Sequence, residues 1–167
     1  MANQYPFSPK SNAKLEIGQF WAIKLSNGQY GCGIILDIPS KGDRTTKSCF
    51  VGLLDWAGIE KPTQFDLENK QIKLLEQGDA HIKTITMKNE LIIGKIDLKK
   101  TNIVLQFEVN SAYYGPSSWL INGYTFIRKS IREDHEIFKT NTTWGYDVIN
   151  ILAEKYLVDK NISSPPQ

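Results

Sequence analysis

The chain has 167 residues, with 41% apolar and 23% charged side chains and a formal net charge of +2. A domain of this length buries about 70% of its unfolded surface, so it can fold without a metal or a disulfide. The small net charge excludes electrostatic steering as grounds for nucleic-acid binding, and no apolar run has the length of a membrane span.

Residues 1–14 are polar and interrupted by Pro6 and Pro9, which predicts a flexible N-terminal arm without an export signal. Gly18 to Leu36 reads as two strands joined at Asn27-Gly28, a pair that tolerates φ > 0. A two-residue turn there sets Ser26 opposite Gln29, Leu25 opposite Tyr30, Ile23 opposite Cys32 and Trp21 opposite Ile34. One face then carries Trp21, Ile23, Leu25, Tyr30, Cys32, Ile34 and Leu36, and the other Phe20, Ala22, Lys24, Gly31, Gly33 and Ile35. Gly31 and Gly33 form either a shallow trough for a partner or a place where the chain packs closely on itself. Cys32 and Cys49 are expected as reduced, buried side chains in a cytoplasmic protein.

Ser40 to Lys47 is a polar loop, and Ser48 to Leu54 a short apolar strand. Asp55 to Pro62 is rich in turn residues, with a short helical turn over Thr63 to Leu67. Further strands are predicted at 71–75, 81–87, 91–98 and 103–109, punctuated by polar turns. Ser111 to Gly123 is an aromatic Gly/Pro loop with room for one strand. From Trp144 to Val158, Ile149, Leu152, Ala153 and Tyr156 recur at helical spacing, with Thr143 as N-cap and Asp147 in the first turn. Residues 161–167 form a tail. The pattern predicts an α+β domain over 15–160: a curved antiparallel sheet or partly open barrel with a C-terminal helix packed on it.

Motifs for catalysis are sparse. The sequence has no phosphate-binding glycine loop and no cysteine pair at metal-ligand spacing, so neither a cofactor nor a metal is expected, and the chain is not read as an enzyme. His81 lies at a strand start and His135 in the charged run Arg132 to Glu136, which reads as a solvated stretch. Arg128, Lys129 and Arg132 are offset at once by Glu133, Asp134 and Glu136, so no nucleic-acid footprint is expected. Two aromatic segments remain as partner-binding candidates: Asp55, Trp56, Glu60, Phe65 and Asp66 in one, and Tyr113, Tyr114 and Trp119 in the other. Aromatic side chains bury much area at small entropic cost, which makes them good interface anchors.

The run GQFWAIKLSNGQYGCGIIL, followed by Val51-Gly52-Leu53-Leu54-Asp55-Trp56, resembles the immunity protein 26 family, most clearly from Glu16 to Leu67. Members of that family are encoded beside polymorphic bacterial toxins. The resemblance implies a protein that binds and inhibits a cognate toxin stoichiometrically, and it carries over no catalytic residue. Immunity proteins against basic nucleases are typically acidic, whereas this chain is slightly basic; the four carboxylates and one lysine of Asp55 to Glu68 offer a local acidic patch. The alternative expectation is a small barrel-like module that recognises a peptide or nucleic acid through exposed aromatics. An enzyme would require His81 or His135 to line a cleft beside a carboxylate or thiol.

Overall fold

A computed structural model describes residues 3–40, 42 and 46–159. Much of the polar loop expected at 40–47 and the tail expected at 161–167 lie outside these residues. The fold is α+β. Strands β1 (Gln19–Lys24), β2 (Tyr30–Asp37), β3 (Ser48–Gly58), β4 (Leu74–His81) and β5 (Gly94–Lys95) form a five-stranded sheet in the order β4-β3-β2-β1-β5, every pair antiparallel. Strands β6 (Phe107–Val109), β7 (Trp119–Asn122) and β8 (Thr125–Lys129) form a second antiparallel sheet in chain order. Neither sheet closes into a barrel.

The β1–β2 hairpin forms where the sequence places it, but one residue out of the predicted register. Trp21 pairs with Gly33 and Ile23 with Gly31. The cause is the turn. Gly28 N–H donates to Leu25 O at 3.1 Å, Leu25 N–H donates to Gln29 O at 2.9 Å, and Gly28 takes φ +84°. This is a three-residue loop with glycine in the left-handed position, not the two-residue turn that Asn-Gly suggests. The slip exchanges the partners across the faces. Trp21, Ile23, Leu25 and Ile35 now share one core cluster, while Phe20, Cys32, Ile34 and Leu36 share another. Apolar alternation could not choose the register because both faces are buried, so neither arrangement exposes a mismatched set.

Gly31 and Gly33 are therefore filled from within the chain. The Trp21 indole lies directly over Gly33, where any Cβ would strike the ring, and Leu157 approaches Gly31. The bulge between Gly31 and Gly33 in the β2–β3 pairing accompanies this close packing.

Helix α4 (Val148–Ala153), continued by a π-helical segment Glu154–Asp159, covers the Trp21 face with Ile149, Ala153, Leu157 and Val158. The expected periodicity is present, but the start is later. Thr143 is not its cap: the helix begins after Asp147, whose side chain makes no capping bond, because Trp144 is drawn into the core. Glu154 ties this helix to the hairpin tip, accepting from Ser26 N–H at 2.6 Å and Ser26 Oγ at 2.7 Å. The opposite face is covered by Leu67, Ile72, Ile96 and Ile103 from the connections, with Leu67 supplied by helix α1 (Gln64–Leu67).

Other boundaries shift for tertiary reasons. Residues 81–87, expected as a strand, contain helix α2 (Lys83–Thr86), which drops Ile82 and Ile85 into one core. His81 Nδ1 accepts from Lys83 N–H at 3.1 Å and closes β4 there. The strand predicted at 71–75 begins at Leu74 and runs to His81; that predicted at 91–98 shrinks to Gly94–Lys95, and that at 103–109 to its last three residues. Arg132–Ile137 forms helix α3; Arg132, Glu133 and Glu136 are solvated as expected, whereas Asp134 is buried. The segment expected as a loose N-terminal arm is docked from Asn3 on: Phe7 exchanges backbone hydrogen bonds with Ile92 at 3.0 and 2.9 Å, and its ring packs on the core.

Candidate functional site

The acidic-aromatic candidates divide by element. Asp55 and Trp56 lie on β3, which runs four residues beyond the predicted strand end. Asp55 is exposed, and its N–H donates to Lys73 O at 2.8 Å. Trp56 is half-buried, packed against the core and Gly58, so only part of its ring is available to a partner. Glu60 is exposed beside the exposed Ile59. Phe65 projects from α1 with 88% of its surface in solvent. Asp66 is engaged within its own helix. Its carboxylate accepts from Thr63 N–H and Oγ at 2.9 Å each, while Thr63 Oγ accepts from Asp66 N–H at 3.3 Å. That reciprocal box caps a helix of four residues.

Tyr113, Tyr114 and Trp119 belong to the three-stranded sheet and the loop leading into it. Tyr113 is 84% exposed. Tyr114 stands edge-on to His135 at 5.8 Å, with the Arg132 guanidinium 5.3 Å from its ring centre. Trp119 is half-buried, edge-on to Phe126 at 5.4 Å, and carries the Lys129 ammonium 4.8 Å over its face. All five residues of β8 are exposed, Phe126 and Ile127 among them. Arg128 is held by Asp134 of α3 through a bidentate pair at 2.7 and 3.0 Å. This pairing holds the Asp134 carboxyl below its usual range, helped by Ile131 N–H donating to Asp134 at 2.8 Å. No hydrogen bond or ring contact among the described residues joins this group to the Asp55–Asp66 group.

A third region has no counterpart in the sequence reading. Between β4, the start of β6, the segment 137–142 and α4 lies a cleft of about 810 Å³. Leu74, Phe107, Phe138, Trp144, Val148 and Leu152 supply apolar walls, and Glu76, Glu108 and Lys139 the charges. Glu108 is only 4% exposed, and this desolvation pushes its carboxyl up against the opposing effects of Gln77 and Asn141. Glu76 accepts from Tyr156 Oη at 2.7 Å and pairs with Lys139 at 3.5 Å. Gln77 braces the floor: its side chain donates to Gln106 O at 3.0 Å and accepts from Gln106 N–H at 2.8 Å. No local motif could have revealed this cleft, because its walls come from segments about 80 residues apart.

The reactive side chains occupy other environments. Cys32 and Cys49 are free and buried; burial, with Asp79 nearby, pushes the Cys49 thiol up to about 12, and burial alone raises Cys32 well above its ordinary value. Both therefore remain protonated thiols near neutrality. His135 Nε2 lies 2.9 Å from Ser130 Oγ, which donates to Ser118 Oγ at 2.8 Å. Which of the two donates in the His135–Ser130 bond follows the imidazole tautomer. Both serines are buried. Asp79, raised by burial, accepts from Tyr124 Oη at 2.5 Å and links β4 to the segment before β8.

Among the described residues, no cluster of three His, Cys, Asp or Glu side chains is arranged to hold a metal, and no helix is long and apolar enough to cross a membrane. No family model, curated protein or solved structure matches the chain.

Proposed function

We propose that this chain is a protein-binding inhibitor that neutralises a cognate bacterial toxin by forming a stoichiometric complex, the role implied by its resemblance to the immunity protein 26 family. The observation that carries this reading is the set of exposed aromatic and apolar side chains on the three-stranded sheet and its loop: Tyr113, Tyr114, Phe126 and Ile127 are exposed, and Trp119, edge-on to Phe126, is half-buried. Trp119 and Phe126 brace one another on neighbouring strands, so they present a shaped surface at small entropic cost. Phe65, with Asp55 and Glu60, supplies a second contact region of acidic character. Asp66 is removed from that region because its carboxylate serves the helix cap.

The test is co-expression with the toxin encoded by the neighbouring gene. Growth should be restored, and the two proteins should co-purify at a fixed ratio. Trp119→Ala and Phe65→Ala should raise the dissociation rate, whereas Asp55→Lys should act on association and its salt dependence. A wild-type protein that neither binds nor neutralises the neighbouring toxin refutes the proposal.

A further inference from the structure

The cleft contains an open strand edge. Backbone groups of successive residues in an antiparallel strand point to opposite sides, so those two apart share a side. Asp79 of β4 points away from β3: its N–H donates to Thr142 O at 3.0 Å, and its carbonyl accepts from Trp144 N–H at 2.7 Å. Gln77, two residues earlier in an unbroken stretch of register, has the same parity. No described residue outside the sheet bonds to its backbone N–H or carbonyl. The chain that seals Asp79 has by then crossed to β6, where Val109 N–H donates to Lys139 O at 3.0 Å and Asn141 N–H to Val109 O at 2.8 Å. The edge at Gln77 thus faces the cleft of about 810 Å³.

We propose that this cleft takes an extended, basic and apolar peptide segment of a protein partner, which adds to the outer edge of β4 at Gln77. The inference rests on the protein-binding role above and gives the partner segment its chemistry. Main-chain pairing at Gln77 supplies a strand-addition mode of binding. Leu74, Phe107 and Leu152 take alternate apolar side chains, and Glu76 and Glu108 face a cation. Charge selects that cation: two carboxylates line the cleft against one lysine, and Lys139 has 78% of its side chain in solvent, free to swing aside. Desolvated and without an ion pair among the described residues, Glu108 is costly to keep charged, and Lys139 together with the Gln77 and Asn141 hydrogen bonds offsets only part of that cost; an incoming arginine or lysine offsets more.

The probe is a capped heptapeptide of alternating arginine and valine, titrated by calorimetry into the full chain. It should bind at micromolar concentration. An alternating glutamate and valine peptide should not bind, and a proline at the central position should weaken binding tenfold or more by removing a strand N–H. Glu76→Gln combined with Glu108→Gln should abolish binding, and the surface change Lys139→Glu, which leaves the buried groups intact, should tighten it severalfold. Equal binding of the proline peptide, or weaker binding by Lys139→Glu, overturns strand addition or charge selection respectively. Self-association of the chain that the double variant abolishes overturns the choice of occupant in favour of a second copy. The toxin assay separates the two proposals. If the double variant loses the peptide but still neutralises the toxin, the cleft's assignment to that partner fails and the inhibitor reading stands. If the wild-type chain binds the peptide but does not neutralise the toxin, the inhibitor reading fails and peptide binding in the cleft stands.

Discussion

The five-stranded sheet is covered on both faces by apolar clusters, whereas β8 at the edge of the three-stranded sheet leaves all five of its residues exposed. In the first sheet, nearly every side chain of β1 and β2 contributes to folding, so substitutions act on stability. In the second, α3 and the Arg128–Asp134 pair hold the backbone in place while Phe126 and Ile127 remain free of the core. Apolar groups that contribute little burial yet stay on an ordered strand are suited to burial against something else. The contrast separates residues that make the molecule from residues available to a partner.

The largest expected effect tests the first half of that contrast. Trp21→Ala empties the space over Gly33 and should cost about 3–5 kcal/mol in denaturant titration. Phe126→Ala should change the unfolding free energy in the same titration by no more than about 0.5 kcal/mol. Comparable losses would mean that the small sheet is as much core as the large one. Binding should show the reverse order: Trp119→Ala is expected to weaken the toxin complex by about 2 kcal/mol, read mainly as faster dissociation in surface-based kinetics. Circular dichroism must first show that the variant retains its fold.

The hairpin tip gives a smaller effect. Gly28 has φ +84° with open space around it, so backbone strain is the only penalty for a side chain there. Gly28→Val should cost about 1 kcal/mol or more, because a β-branched residue resists that conformation. An unchanged unfolding midpoint and slope would contradict the three-residue loop.

Glu108 extends the contrast into the cleft. Its folded carboxyl holds a proton more tightly than an exposed one, so the associated stability is fully present below the unfolded value and declines as pH rises through the folded value. Glutamine has no charge to desolvate. Glu108→Gln should therefore be more stable than the parent near neutral pH, with the difference narrowing on acidification. A pH series of thermal melts measures it; a difference independent of pH would mean that burial of the charge is not its cause.

Of the candidate site, the sequence picked out Phe65, Tyr113 and Tyr114 as aromatic anchors, but only the packing shows that these three are exposed, since a loop aromatic serves equally well to finish a core. It could not show that Trp56 is partly claimed by the core or that Asp66 closes a capping box. The box was written in Thr63 and Asp66, but a four-residue helix is too short for periodicity to announce it. The cleft was hidden for a different reason: Glu76, Glu108 and Leu152 share no local pattern, and only the strap at 139–144 brings their segments around one space.

Local sequence was enough to set the antiparallel hairpin at Asn27-Gly28, the mixed α+β class and the amphipathic face of the last helix. These follow from turn chemistry and from side-chain periods that act over a few residues. Packing between distant segments settled the hairpin register, the helix at 83–86, the ordering of 132–137 and the open edge at Gln77. With both faces of β1 and β2 apolar, local alternation supports either register, and only the fit of Trp21 over Gly33 and Leu157 against Gly31 separates them. The edge at Gln77 likewise stays open because the strap that bonds to Asp79 also has to reach β6, a constraint that exists only once the distant segments are packed together.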